Sequence, residues 1–163
     1  MRAAPPHYDA AVNLDTRDIA IGLRADDVID AAAQLLRPAL QRRGFEETEV
    51  ARLLDAVARR EREVPTTCGE AAIPHARDAR VQSFIIAIGT NDEGVITGQP
   101  QPRVVFAFLS PDAKRSEHLE LLAALSRLSC APAAIDALAK ARTADEAAAL
   151  LQRQPIGVVL VRE

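Results

Sequence analysis

Apolar positions along this chain recur with two different periods, and the change of period divides it into three stretches. Ile19-Ala20-Ile21-Gly22-Leu23 is a short strand candidate. After it, Val28, Ile29, Ala32, Leu35 and Leu36 follow the three- and four-residue spacing of one helix face, with Asp26 or Asp27 placed to cap it. Gly44 interrupts. A second helix carries Val50, Leu53, Leu54 and Val57 on one face, runs into Arg59-Arg60-Glu61-Arg62-Glu63 and stops at Pro65.

The middle stretch changes character. Phe84-Ile85-Ile86-Ala87-Ile88 and Val104-Val105-Phe106-Ala107-Phe108-Leu109 are continuous apolar runs bounded by turn residues, which predicts strands buried on both faces. A loop rich in Gly, Asn, Asp and Pro joins them, with Val95-Ile96 as a short extra strand. The last third returns to helical spacing. Ser116 is placed to cap a helix with Leu121, Leu122, Leu125 and Leu128 on its buried stripe. Pro132 opens the next helix, with Ile135 and Leu138 buried, and Thr143 with Glu146 forms a capping box for a third. Gly157-Val158-Val159-Leu160-Val161 predicts a terminal strand. The fold class expected is α/β, a central mixed β-sheet with helices on both faces. Residues 1–17 form a polar, Pro-containing lead-in expected to be partly disordered, and residues 18–163 a single domain.

Composition narrows the classes of function. A chain of 163 residues with 48% hydrophobic and 26% charged residues is ordinary for a soluble domain, and aromatics at 3% leave the core to Leu, Ile, Val and Ala. A net charge of −3 argues against nucleic-acid binding. No apolar run reaches membrane-spanning length, and the first residues lack a secretory signal, so a cytoplasmic protein without membrane insertion is expected. Cys68 and Cys130 fit reduced thiols rather than a disulfide framework.

Chemistry concentrates at Ala71-Ala72-Ile73-Pro74-His75-Ala76-Arg77-Asp78, where a histidine follows a stiff proline and has a cation beside it. A neutral imidazole is a nucleophile or acid–base group near neutral pH, and a nearby guanidinium suits a phosphoryl group. The competing reading is a satisfied surface histidine in an X-Pro turn. His118 lies two residues past Ser116, in the first turn of a helix, where backbone donors favour an anion; its plainer reading is an amphipathic surface residue. Arg59, Arg60 and Arg62 have the look of a solvated helix face, yet one of them at a helix end leading to His75 can bind phosphate bidentately. His7 sits in the lead-in and carries no role. A Cys68–His75 thiol pair lacks a hydrolase context. The scattered histidines do not spell a metal site, and no Gly-rich nucleotide loop is present, so no cofactor is expected.

These residues resemble the enzyme IIA domains of the phosphoenolpyruvate-dependent phosphotransferase system, fructose–mannitol type, including the nitrogen-regulatory branch. The likeness rests on Arg60-Glu61 before Pro65-Thr66, on Gly69-Glu70, on Ala72-Ile73-Pro74-His75, and on Ser116-Glu117-His118-Leu119 before a Leu-rich helix. It extends over roughly residues 14–152. Ala76 stands where Gly is common, and the stretch from Thr66 to His75 is one residue shorter than the family's usual spacing, which leaves Arg59 and Arg62 in competition with Arg60.

The resemblance implies that His75 accepts a phosphoryl group from the phosphocarrier HPr, through its Nε2 atom, and passes it to an enzyme IIB partner. It implies that His118 donates to the phosphoryl oxygens or orients His75, that Arg60 neutralises the transferring charge, and that Glu70 contributes. Docking would be transient, through an apolar rim around His75, with no metal or organic cofactor. Two roles follow from it: a component of sugar or polyol uptake, or a regulatory IIA phosphoprotein controlling partner proteins by its phosphorylation state. A relative acting only as a binding module is a third. Adjacent positions on a helix point about 100° apart, so Arg59 and Arg60 are not expected to share a pocket, and Arg60 is preferred.

Overall fold

The computed structural model describes residues 12–154 and 158–160. His7 and most of the lead-in therefore lie outside the described residues. The part of the lead-in that is described is ordered: β1 (Val12–Leu14) precedes a 3-10 turn (Thr16–Asp18), with Leu14 fully buried. There follow β2 (Ile19–Ile21), α1 (Val28–Arg42), α2 (Glu47–Glu63), β3 (Ala71–Ala72), β4 (His75–Asp78), β5 (Ile85–Thr90), β6 (Val104–Pro111), α3 (Arg115–Ser129), α4 (Pro132–Ala139), α5 (Ala144–Gln152) and β7 (Val158–Leu160).

The main sheet has five strands. β2 pairs β5 in parallel, β5 pairs β6 antiparallel, and both β3 and β4 pair in parallel along the other edge of β6. The terminal strand expected at 157–161 is β7, which pairs β1 in parallel in a separate two-stranded sheet.

The two apolar runs become β5 and β6, and strict alternation along them divides the core. Ile86, Ile88, Val104, Phe106 and Phe108 join a cluster with α3, α4 and α5, whereas Ile85, Ala87, Val105, Ala107 and Leu109 join α1 and α2. The sheet is thus covered on both faces, as the continuous runs require. Gly89 in β5 lies close under the Leu23 side chain of the β2–α1 connection. A Cβ there would lie 2.3 Å from Leu23 Cδ2 and 3.3 Å from Leu23 Cβ, so the Leu23 side chain would have to shift to admit it.

Three helix starts follow the expected capping chemistry, whereas α2, which follows Glu46, has no side-chain cap. Asp27 caps α1 by accepting from Asp30 N at 2.7 Å, Thr143 accepts from Glu146 N at 3.1 Å, and Pro132 opens α4. Gly44, at φ +83°, closes α1 in the left-handed conformation that favours glycine. Pro38 lies within α1 on its exposed side, where the carbonyl it leaves unpaired can turn to water. Ser116 does not cap α3. α3 begins at Arg115 after Lys114, which makes no side-chain cap, so Ser116 is inside the helix and His118 sits further into it than expected. Val95-Ile96 gives only a single bridge, from Ile96 to Ala25. No single helix among the described residues is long and apolar enough to cross a membrane.

Candidate functional site

His75 is neither in a turn nor at the surface. It opens β4, opposite Phe108 of β6, and only 3% of it is exposed. Its ring stacks on Phe108, with centroids 5.0 Å apart and planes 9° apart. The Ile73 carbonyl accepts from His75 Nδ1 at 2.6 Å. A carbonyl has no proton to give, so Nδ1 carries the hydrogen and a neutral ring must hold its lone pair on Nε2. That Nε2 is sealed from solvent and has no hydrogen-bond partner among the described residues.

The carbonyl that sets this tautomer is itself held in place. Glu61, buried near the end of α2, accepts from Thr66 N at 3.0 Å and from Thr66 Oγ1 at 2.7 Å, and Thr66 Oγ1 in turn accepts from Ile73 N at 3.1 Å. The Glu of the Arg-Glu pair therefore fastens the Pro65-Thr66 turn and the approach to His75. Its buried carboxylate is satisfied by donors, not offered to a ligand.

His118 is buried as well, at 6% exposure, which overturns its plainer reading as an amphipathic surface residue. Its backbone N–H is spent on Lys114 O at 3.0 Å, so the ring and not the helix end faces the site. The ring lies 5.3 Å from both His75 and Phe108, and its Nδ1 is 2.8 Å from Ser110 Oγ. Spacing held the signal for this burial: His118, Leu121, Leu125 and Leu128 lie on one helical stripe.

An open cavity of about 320 Å³ unites the two imidazoles with Arg59, Arg60 and Glu63 of α2, Ala76 and Arg77 of β4, and Asp112. The expectation that Arg59 and Arg60 cannot share a pocket is thus corrected: both reach it at the last turns of α2. They differ in commitment. Arg59 Nε pairs with Asp55 at 3.2 Å, whereas the Arg60 guanidinium has no ion pair or hydrogen bond among the described residues. Arg62 does not line the cavity, and neither does exposed Cys68.

Glu70 is a correction. Its carboxylate bonds Arg103 Nη1 at 3.3 Å, beside the opposite end of β6, and does not enter the cavity. Arg77, the cation that the sequence places beside His75, lines the same cavity. Two positions after His75 on one strand, it follows the period-two rule onto the same face.

The electrostatics keep both rings neutral at working pH. Burial pushes His75 below its usual value, and the Arg60 charge adds to that, while the Ile73 hydrogen bond and Glu61 act against it. Burial also pulls His118 down to about 4, helped by His75, Arg77 and Arg60. The site is therefore two neutral imidazoles, one with a free lone pair, facing an unpaired guanidinium. That arrangement suits attack on an electrophile carrying negative charge.

The model of the family described as phosphoenolpyruvate-dependent sugar phosphotransferase system, EIIA 2, matches residues 13–154. No sequence among the curated proteins matches the chain. In fold it is similar to the nitrogen regulatory protein IIA-Ntr from Neisseria meningitidis, with TM-score 0.71, 21% identity, and coverage of 86% of this chain and 96% of that one. It is also similar to IIA mannitol from Escherichia coli, with TM-score 0.68, 24% identity, and coverage of 85% and 98%. A complex of enzyme IIA-Mtl with phosphorylated enzyme IIB-Mtl from Escherichia coli gives TM-score 0.67 at 22% identity, covering 85% and 96%. The family match takes in His75, His118, Arg60 and nearly every element that positions them, and the chain belongs to the EIIA 2 family of the phosphoenolpyruvate-dependent sugar phosphotransferase system.

Proposed function

We propose that this chain is a cytoplasmic phosphocarrier that receives a phosphoryl group on His75 Nε2 from an HPr-like protein and hands it to an enzyme IIB partner. The observation that carries this reading is the pairing of Nδ1 with the Ile73 carbonyl, which leaves Nε2 as the only nucleophilic nitrogen of His75. The Nε2 lone pair attacks phosphorus while the bond between the group and its donor breaks. Nδ1 keeps its proton, and the Ile73 carbonyl shares the positive charge that builds on the ring. A lone pair already sealed from water has no hydration shell to shed before attack.

Phosphoryl transfer passes through a loose transition state in which charge spreads over the equatorial oxygens, so positioned cations and donors supply most of the catalysis. Arg60 provides the planar fork and His118 the neighbouring donor. Exposed Val64 and Leu119, each adjoining a cavity residue in sequence, give partners an apolar rim. Transfer to a IIB partner suits a role in sugar or polyol uptake. The similarity in fold to IIA-Ntr supports a second reading, a regulatory IIA whose phosphorylation state controls partner proteins, because a new dianion at this cavity changes what can dock there.

Incubation with phosphoenolpyruvate, enzyme I and HPr is expected to add one acid-labile phosphoryl group, mapped to His75 by mass spectrometry. Label that survives His75→Ala overturns the assignment. Discharge of the label by an added IIB protein supports uptake; a label that IIB leaves intact but that alters binding to another protein supports regulation.

A further inference from the structure

Ser110 is the one hydroxyl in the buried core of β6, a strand otherwise apolar from Val104 to Leu109. It is fully buried, and alternation along the strand puts it on the face that carries Phe106 and Phe108, towards α3. Its Oγ lies 2.8 Å from His118 Nδ1 and has no other side-chain hydrogen bond among the described residues. A neutral imidazole offers one donor and one acceptor, so this contact can be made in two ways. If Nδ1–H donates to the hydroxyl, the hydroxyl hydrogen is left in a dry interior with no acceptor. If the hydroxyl donates to Nδ1, every hydrogen at the contact is used. Leaving a buried donor unsatisfied is costly enough to decide between them. On the far side of the ring, Nε2 is not sealed as His75 Nε2 is, and it has no hydrogen-bond partner among the described residues.

We infer that Ser110 is a positioning residue: its hydroxyl donates to His118 Nδ1, fixes the ring as the Nε2–H tautomer, and so turns a hydrogen-bond donor towards a phosphoryl group on His75. The inference rests on the proposed phosphocarrier reading. It concerns a different contact, and the two imidazoles then complement one another. His75 is held by a backbone acceptor that leaves Nε2 bare, and His118 by a side-chain donor that leaves Nε2 protonated. One ring attacks and the other receives the oxygen.

Ring-nitrogen NMR on the ¹⁵N-labelled parent tests the tautomer directly. His118 is expected to show a bare Nδ1 and a protonated Nε2. Ser110→Ala is expected to remain folded at the assay temperature with a modest fall in unfolding midpoint, because His118 Nδ1 loses its buried partner, to mix the two tautomers of His118, and to slow phosphorylation of His75 by HPr about five- to tenfold. In a His118→Ala background, Ser110→Ala should slow transfer no further. A labelled His75 together with a protonated His118 Nδ1 in the parent would overturn the Ser110 inference alone, as would parental rates in Ser110→Ala or additive losses in the double variant. No label on His75 of the parent would overturn the phosphocarrier reading, and with it the function given to Ser110.

Discussion

The two ends of β6 carry the same kinds of charged side chain and use them in opposite ways. Before its first residue, Arg103 is 12% exposed and is ringed by Glu70, Asp92 and Asp136, with the Asp136 contact at 3.0 Å. Those carboxylates hold the guanidinium above its ordinary pKa, and every arm of the fork is engaged. Near the last residues of β6, Arg60 and Arg77 face two uncharged imidazoles and have no ion pair among the described residues. A cation whose field is cancelled by its own protein holds the fold together. A cation left uncancelled beside a bare lone pair is suited to an anion from outside.

The contrast breaks most visibly at Arg103. Arg103→Ala strands three carboxylates beside one another, and since all three keep some solvent, a loss of about 2–3 kcal/mol in denaturant unfolding is expected. Transfer through His75, measured well below the unfolding midpoint, should stay at the parental rate. A transfer defect without destabilisation would merge the two regions into one.

Arg60 should behave the other way round. Arg60→Lys keeps the charge and removes the fork, and is expected to slow transfer about tenfold while stability stays within about 0.5 kcal/mol. Arg59→Lys and Arg62→Lys should sit near the parent. A strong defect at Arg59 with none at Arg60 would assign the fork to the residue now bound to Asp55.

The smallest effect sharpens the same comparison through pH. His118 titrates at 6.5 in the unfolded chain but only at about 4 when folded. Between those values the unfolded chain binds more protons, so stability is complete above the upper one and falls as pH drops towards the lower. His75, also depressed by burial, adds to the fall. Urea midpoints at pH 7 and pH 4.5 should therefore differ less in His118→Gln than in the parent. An equal difference in both would mean that His118 is not held neutral by its surroundings.

The parts of the fold legible in sequence were those whose signal is local and repeated. Leu121, Leu125 and Leu128 mark a helix by themselves, and the runs from Phe84 and Val104 are strands on composition alone. The segment that matters most was the least legible. β3 has two residues and β4 has four, with Pro74 between them, and neither is long enough to show alternation. They become strands because β6 offers an unpaired edge some thirty residues further along the chain, and local pattern carries no trace of such a partner. Hence His75 was readable as chemistry but not as a buried strand residue. Glu70 illustrates the reverse failing: a motif position matched, while the side chain bends to Arg103, a residue the motif does not contain.

The hydrogen bond from His75 Nδ1 also has a bearing on how the site can change over generations. β3 and β4 pair on one side only, so the Ile73 carbonyl lies at a sheet edge and takes the imidazole instead of a strand neighbour. A carbonyl belongs to the main chain, and no codon change at position 73 removes it. The orientation of the His75 ring is thereby insulated from most single mutations. The ring of His118 leans on a serine hydroxyl that one substitution can delete. On the proposed function, drift and selection can therefore retune how firmly this site would grip a phosphoryl group more readily than which nitrogen would take it.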